Sequence, residues 1–171
     1  VEACTVGGQI LATESTLSAC SATVRSASVQ TVDMKGVPVP LPLYDVIGID
    51  GDWGLQIQSP GTQRIDLEPG QQVSVRYASV EGKQIGDLSR SAEVLAVGDG
   101  RLWLKGRIAK PFTDLSLHTQ TGVKDLDDQR FYAKVTHLLD NETVLSLTSV
   151  SSGLNQYWQN LAASVSTAPK E

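Results

Sequence analysis

The stretch 92–108 constrains the fold more than any other part of the chain. Its sequence, AEVLAVGDGRLWLKGRI, contains two runs of β-type residues that meet across Gly98-Asp99-Gly100. A glycine-containing loop of this kind supplies the positive backbone φ angles that a tight β-hairpin needs. We therefore predict an antiparallel hairpin here and organise the rest of the chain around it.

The second strand of this hairpin has two unlike faces. Leucines at 102 and 104 share one face with Ile108, whereas the opposite face carries one aromatic residue and three cations: Arg101, Trp103, Lys105 and Arg107. An exposed tryptophan can stack on a sugar or a partner's side chain, and flanking cations can bind carboxylate, sulfate or phosphate groups. We predict that these four residues form a binding face. The alternative is that another element covers Trp103 and leaves the cations as a rim.

Other segments also show the alternation of β-strands. The run 22–34 is rich in Val, Thr and Ser and predicts an exposed or edge strand, and 73–77 predicts a half-buried strand. Residues 130–139 and 143–150 flank Asp140-Asn141 and predict a second hairpin. The polar stretch 111–129 is interpreted as a loop with one short helical turn or strand.

Three alternating prolines mark the segment 37–43. Pro38, Pro40 and Pro42 hold the backbone extended and remove every second amide donor, which argues against a central strand. We expect an edge segment or a strap packed on apolar neighbours. The alternative is a polyproline ligand for a partner domain.

The end of the chain has a different pattern. Between 151 and 166 the apolar residues recur at helical spacing, and Ser151 or Ser152 can serve as N-cap. The sequence therefore predicts a mainly β fold, a single small antiparallel β-barrel or sandwich with a C-terminal amphipathic helix. In this organisation 1–21 is an N-terminal segment, 22–166 the all-β domain, and 167–171 a disordered tail.

The length and net charge of the chain limit its number of domains and the partners that it can bind. The 171 residues suit one domain, since domains cluster at roughly 100–150 residues. The net charge of −5 and the pI near 5.0 disfavour a generic nucleic-acid or anionic-membrane binder. No apolar run approaches the length of a membrane span. We expect neither a nucleic-acid partner nor a membrane span.

The two cysteines, Cys4 and Cys20, lie close together near the start of the chain. Metal binding would need more ligands at suitable spacing, and none are nearby. We predict a disulfide that staples the N-terminal segment, with free thiols as the alternative. A disulfide implies a periplasmic or secreted location, and we expect Val1 to begin the mature, exported chain.

The motifs of catalysis are missing or incomplete. The chain has no Gly-x-Ser-x-Gly element and no glycine-rich phosphate loop. His137 falls in a predicted strand and is interpreted as a core or interface histidine. Asp50-Gly51-Asp52 resembles only the first half of a calcium loop. We therefore expect no catalytic residue, no metal and no cofactor.

Gly51-Asp52-Trp53 also resembles the Gly-x-Trp element on the first strand of lipocalins. That resemblance implies a β-barrel that carries a small apolar ligand and ends in a C-terminal helix. The sequence lacks a Thr-Asp-Tyr counterpart later in the chain.

From these features we expect a non-catalytic, extracytoplasmic binding or assembly module of the bacterial cell envelope. Its partner would be another protein or a second copy in a homo-oligomer, contacted through the Trp103 face or the proline segment. The alternative is a lipocalin-like barrel with a small apolar ligand. A third hypothesis is an enzyme that acts on envelope glycans, and a glycan is also a candidate ligand of the binding face.

Overall fold

The computed structural model describes residues 4–34, 36–52, 54–57 and 63–166. Contacts within the chain divide it into two compact units, residues 1–59 and 60–171, called unit 1 and unit 2. The sequence analysis placed the start of the β domain at residue 22, whereas this division lies between Ser59 and Pro60. The predicted disordered tail, 167–171, lies outside the described residues.

Unit 1 is built on a small antiparallel sheet. Its elements are β1 (Leu11–Thr13), α1 (Glu14–Ser18), β2 (Val24–Val32), β3 (Leu41–Ile49) and β4 (Leu55–Gln56). The strand order is β1-β3-β2, and β4 pairs with the last residues of β3. The strand predicted within 22–34 is confirmed as an edge strand, because β2 pairs with β3 alone among the described strands.

Unit 1 buries few apolar side chains. Among its described residues the buried ones are Val32, Leu43 and Val46. The large apolar side chains that it leaves exposed are Ile10, Val29, Val37, Val39 and Leu55. Most of the chain's buried apolar residues belong to unit 2 instead.

The proline segment differs from its prediction. Residues 37–40 form an exposed connection, with Val39 64% exposed, and are not a strap packed on apolar neighbours. The central strand β3 already begins at Leu41, so the exclusion of a central strand from this segment was wrong at its end. Pro42 is tolerated because it pairs only with β2; pairing with β1 starts at Leu43. Its missing amide therefore removes no bond to β1.

Unit 2 contains a closed, six-stranded antiparallel β-barrel. The barrel strands are β6 (Val73–Glu81), β8 (Arg90–Gly98), β9 (Arg101–Lys105), β10 (Asp114–Gln120), β11 (Arg130–Leu139) and β12 (Glu142–Ser149). Two short strands, β5 (Arg64–Asp66) and β7 (Gln84–Ile85), extend the sheet, and the helices are α2 (Lys124–Asp127) and α3 (Ser152–Ser166). The order β8-β9-β12-β11-β10-β6 closes through the β6–β8 pairing. The predicted mainly β fold with a C-terminal helix is confirmed, and of the two predicted architectures, barrel or sandwich, the structure has the barrel.

Both predicted hairpins are present. Gly98 pairs with Arg101 across the two-residue Asp99-Gly100 turn, and Gly100 has the positive φ of 66° that such a turn requires. Leu139 pairs with Glu142 across the second turn. Alternation and turn chemistry agreed at these two places, so local sequence was sufficient to predict them.

The stretch 111–129 contains more structure than predicted. It holds β10, a strand paired on both sides with β6 and β11, followed by α2. Leu115 and Leu117 are completely buried, as are the polar residues Ser116 and Thr119. Because both faces of β10 are buried, its sequence lacks the clean alternation of a half-exposed strand.

Helix α3 forms part of the barrel core. Ser151 caps it, since its Oγ accepts a hydrogen bond from the amide of Leu154 at 3.2 Å. Leu154 and Trp158 are buried in the same apolar cluster as the barrel strands, and Trp158 meets Phe131 edge to face at 6.3 Å between ring centroids. Within the described part of the chain, no helix has the length and apolar character needed to span a membrane.

Candidate functional site

Trp103 is buried and does not form an exposed face. Only 7% of its surface is accessible, and it packs with Ala96 and Val144 in a small cluster separate from the main core. The guanidinium of Arg64 lies 5.6 Å from the centre of its ring, within the range of a cation–π contact. The alternative that another element covers Trp103 is therefore the one observed.

Arg64 is held over Trp103 by two carboxylates. Its Nη1 lies 2.7 Å from Glu142 Oε2, and its Nε donates to Asp66 Oδ1 at 2.7 Å. The hydrogen bond to Glu142 raises the pKa of Arg64 above its already high ordinary value, against the opposing effect of desolvation. The two carboxylates thus hold the guanidinium of Arg64 over the ring of Trp103. Sequence analysis missed Arg64 because it comes from β5, a short strand distant in sequence from β9.

The three cations of the predicted binding face have different surroundings and do not form one surface. Arg101 is half-buried at the hairpin turn, whereas the Nζ of Lys105 bonds Glu93 Oε2 at 2.9 Å. Arg107 is exposed and lies beyond the end of β9. The structure therefore gives no common binding face to Arg101, Trp103, Lys105 and Arg107.

A turn after β9 explains the position of Arg107. Gly106 has a φ of 84°, and its amide donates to the carbonyl of Asn141 at 2.7 Å. The buried Thr143 then holds the loop, since its Oγ1 donates to the carbonyl of Gly106 at 2.7 Å and accepts from the amide of Ile108 at 3.1 Å. Arg107 consequently lies outside the strand whose alternation was used to predict its position.

The predicted disulfide is not formed. Cys4 and Cys20 are both free and are not close enough to bond. Cys20 follows helix α1 and is exposed, and its thiol donates back to the carbonyl of Thr16 at 3.3 Å. Short spacing in sequence suggested a bridge, but the intervening β1 and α1 hold the two cysteines apart.

The two histidines differ in exposure. His137 is exposed, so the core alternative of its predicted core or interface position was wrong, because an irregularity between Val135 and His137 shifts the alternation of β11. His118 is half-buried, with its Nδ1 3.2 Å from the carbonyl oxygen of Asp127. No group of three metal-ligating side chains comes together among the residues that the structure describes.

Gly51 and Asp52 of the Gly-x-Trp element belong to unit 1. Gly51 follows β3 in unit 1, and all six barrel strands belong to unit 2. Trp53 itself is outside the described residues. The residues that carry the lipocalin resemblance therefore do not begin the barrel.

The surface with the clearest capacity for binding is the outer edge of β2, which pairs with no described strand other than β3. Irregular pairing with β3 interrupts the strand at Arg25, Ser26 and Ser28, and from there to Val32 the register is regular. Along this regular part Val29 is 53% exposed and Thr31 is also exposed. We call residues 28–32 the β2 edge segment.

The β2 edge segment lacks the charged residues, prolines and bulges that commonly protect an edge strand. It contains no charged residue and no proline, and its bulges lie before it. Natural edge strands are commonly blocked by lysines, prolines or bulges, since unpaired amide and carbonyl groups can otherwise pair with another chain. Sequence analysis predicted the edge strand but did not single it out as a binding site.

Comparison of the chain with protein-family models, curated proteins and solved structures finds no match.

Proposed function

We propose that the protein is a non-catalytic binding or assembly module that pairs the β2 edge segment with the same segment of a second copy. The result would be a symmetric dimer in which two small sheets join into one. The observation that carries this proposal is an unprotected strand edge on a unit that exposes much of its apolar surface.

The small core of unit 1 favours such an assembly. Domains of about 60 residues bury a limited fraction of their surface and are only marginally stable. Unit 1 buries Val32, Leu43 and Val46 while Val29 is half exposed. Strand pairing across the edge would place apolar and β-branched side chains of two copies side by side and so add contacts that one copy lacks.

The sequence of the edge fits an antiparallel partner of the same kind. If the two strands cross at Gln30, Ser28 of one copy is opposite Val32 of the other, and Val29 is opposite Thr31. By two-fold symmetry the Val29–Thr31 pair occurs twice, on the same exposed face. Pairs of β-branched residues directly opposite each other stabilise antiparallel strands.

Charge does not oppose this register locally. Asp33 directly follows the paired segment and would lie opposite Ala27 of the other copy. Arg25, before the segment, is held by Asp50 at 2.9 Å. The whole chain carries a net charge of −5, so two copies repel each other at long range. Because salt screens that repulsion, we expect dimerisation to strengthen as ionic strength rises.

Sedimentation velocity over a range of concentrations tests the proposal. The wild-type chain should form a dimer as concentration increases, and Val29→Lys should remain monomeric because two lysines would then flank the paired edges. The matched control is Val123→Lys, which places the same charge at an apolar position of unit 2 that is 52% exposed. It should dimerise like the wild type.

Two results would contradict the proposal. One is a wild-type chain that stays monomeric at every concentration, including at high salt. The other is a Val29→Lys variant that dimerises as strongly as the Val123→Lys control, since the contact would then lie elsewhere.

The structure supports the alternative, a lipocalin-like barrel with a small apolar ligand, less than it supports the pairing of β2. Apolar side chains from all six barrel strands meet in a single cluster with Leu154 and Trp158 of α3. This cluster occupies the region where a lipocalin-like barrel would hold its ligand. The extracytoplasmic location and the bacterial cell envelope stay predictions, and the disulfide no longer supports them.

A further inference from the structure

Three side chains form a row across the outer face of the barrel in unit 2. In β10, His118 is directly opposite Arg76 of β6 on one side and Arg130 of β11 on the other. Direct partners in antiparallel strands lie on the same face of the sheet, with Cβ atoms about 4.5–5.5 Å apart. The adjacent residue of β10, Leu117, belongs to the barrel core, so the row lies on the opposite, outward face. We call these three residues the Arg-His-Arg row.

The imidazole of His118 is oriented by two contacts. Its Nδ1 lies 3.2 Å from the backbone oxygen of Asp127, and the Nε of Arg130 lies 3.5 Å from its Nε2. Because a carbonyl oxygen can only accept, Nδ1 carries the proton of the neutral ring, and the lone pair of Nε2 faces the guanidinium. Protonation of Nε2 would turn this contact into a repulsion between two cations unless an anion lay between them.

Neither arginine of the row has a carboxylate partner. Both are exposed, and no ion pair includes Arg76 or Arg130 among the residues that the structure describes. Asp127 of α2 presents its backbone oxygen to His118, whereas its carboxylate accepts hydrogen bonds from residues 121 and 122. The charged groups that face His118 are thus the two arginines and Asp127. The other charged residues of the α2 turn are exposed: Lys124, Asp125 and Asp128.

We propose that the Arg-His-Arg row binds a tetrahedral dianion, sulfate or a phosphate monoester, and that protonation of His118 strengthens this binding. Adjacent strands are about 4.8 Å apart, so the Cα atoms of Arg76 and Arg130 are separated by about 10 Å. Two arginine side chains can reach one anion from both sides across this distance, and guanidinium groups bind such oxygens in bidentate geometry. The net charge of −5 disfavours an extended polyanion, so the ligand is a single anionic group.

The row should respond to pH in a definite direction. Histidine commonly titrates between about pH 5 and 8, and a protonated His118 would add a third charged donor to the anion. We therefore expect binding about tenfold tighter at about pH 5.5 than at about pH 8, the effect of one charge-assisted hydrogen bond. Sulfate is the probe because it remains a dianion over this range. The site belongs to unit 2 alone and does not depend on the pairing of β2.

A sulfate titration at constant ionic strength, with chloride as the replaced ion, tests the site by ¹H–¹⁵N NMR. Sulfate should shift the backbone amide signals of Arg76 and His118 saturably and leave that of Arg107 in place. Arg76→Gln should weaken binding about tenfold. The matched control, Arg107→Gln, removes the same charge from an exposed residue outside the row and should bind like the wild type. In His118→Gln the affinity should no longer depend on pH.

Two further probes define the ligand. Acetate, a planar monoanion, should bind at least about tenfold more weakly than sulfate. Methyl phosphate that binds as tightly as sulfate would identify a phosphate ester as the ligand, and its rejection would identify a free inorganic ion.

Four results would overturn the proposal. They are the absence of a saturable shift with sulfate, an unchanged affinity in Arg76→Gln, acetate that binds as tightly as sulfate, and a pH dependence that is absent from the wild type or persists in His118→Gln.

Discussion

Trp103 shows how a single buried side chain changes the functional interpretation. The ring lies under Arg64 and against Ala96 and Val144, so it contributes to packing. We predict that Trp103→Ala lowers the free energy of unfolding by about 3–5 kcal/mol, the usual cost of removing a buried tryptophan. Urea denaturation followed by circular dichroism measures this change.

Arg107→Ala is the control for that measurement. Arg107 is exposed beyond β9, so its removal should alter the unfolding free energy by no more than about 0.5 kcal/mol. If Trp103→Ala were equally mild, the ring would not be part of the core and the predicted binding face would regain its basis.

Asp127 provides a second test at the scale of a residue. Its Oδ1 accepts hydrogen bonds from the amide and the hydroxyl of Thr121 at 2.7 and 2.8 Å, and its Oδ2 accepts one from the amide of Gly122 at 2.8 Å. Desolvation raises the pKa of Asp127, but these hydrogen bonds outweigh it and lower the pKa below its ordinary value. They stabilise the folded state while the carboxylate is charged.

The sign of the pH dependence follows from this lowered pKa. The stabilisation is fully present above the unfolded pKa, about 4, and is lost as the pH falls through the lower folded pKa. We predict that Asp127→Asn reduces the unfolding free energy by about 1 kcal/mol at pH 7, given the partial exposure of the group. The difference from the wild type should shrink as the pH falls below about 4.

Asp125→Asn is the matched control, because its side chain is exposed and accepts no hydrogen bond in the described structure. Stability measurements from pH 7 to pH 2 should show little difference between Asp125→Asn and the wild type. A gap between Asp127→Asn and wild type that is independent of pH would contradict the assigned role of the carboxylate.

At the scale of secondary structure elements, sequence patterns predicted correctly those elements that depend on neighbouring residues alone. Period-two alternation and the Asp99-Gly100 turn were sufficient for the β8–β9 hairpin, and helical spacing with Ser151 was sufficient for α3. Errors arose where the alternation changed phase. The turn at Gly106 moved Arg107 off the strand, and the irregularity in β11 brought His137 to the surface.

Long-range contacts could not be predicted from local pattern. Arg64 covers Trp103 through pairing of β5 with β8, and β10 is a barrel strand paired on both sides, with β6 and β11. The row of Arg76, His118 and Arg130 likewise brings together three residues that are distant in sequence. Each of these features arises from strand order, which the sequence analysis left undecided between a barrel and a sandwich.

Two glycines allow a contrasting prediction about these elements. Gly153 lies in the first turn of α3 with open space where a Cβ would be placed. We predict that Gly153→Ala stabilises the protein by about 0.5 kcal/mol, because alanine loses less backbone entropy in a helix. The measurement is the midpoint of urea unfolding.

Gly98→Ala should have the opposite effect. A Cβ there would collide with the backbone oxygen of Gln63 and press on the ring of Trp103 at 3.1 Å. We expect a loss of at least about 1–3 kcal/mol, as for other overpacked sites. A neutral Gly98→Ala would show that β5 does not pack against β8 in this way.

At the scale of the whole molecule, the two units have unlike properties. Unit 2 has a large closed core, whereas unit 1 combines a small core with an open strand edge. The six strands of a closed barrel leave no unpaired strand edge, whereas β2 pairs on one side only. This difference is the reason that we assign assembly to unit 1.

Disulfide trapping tests the β2 pairing most directly. In a background with Cys4→Ser and Cys20→Ser, one variant carries Val29→Cys and a second carries Thr31→Cys. In the proposed register residue 29 lies opposite residue 31 of the other copy, with Cα atoms roughly 4.5–5.5 Å apart. Two residues at position 29 lie diagonally, about 7–8 Å apart, beyond the reach of a disulfide.

Mixing the two variants under mild oxidation should therefore give a disulfide-linked heterodimer. Each variant oxidised alone should give no disulfide-linked homodimer. Mass spectrometry of the non-reduced product measures the mass of the dimer, and peptide mapping identifies the two linked cysteines. If the mixture stays uncrosslinked, or if homodimers form as readily as the heterodimer, the proposed pairing of β2 is contradicted.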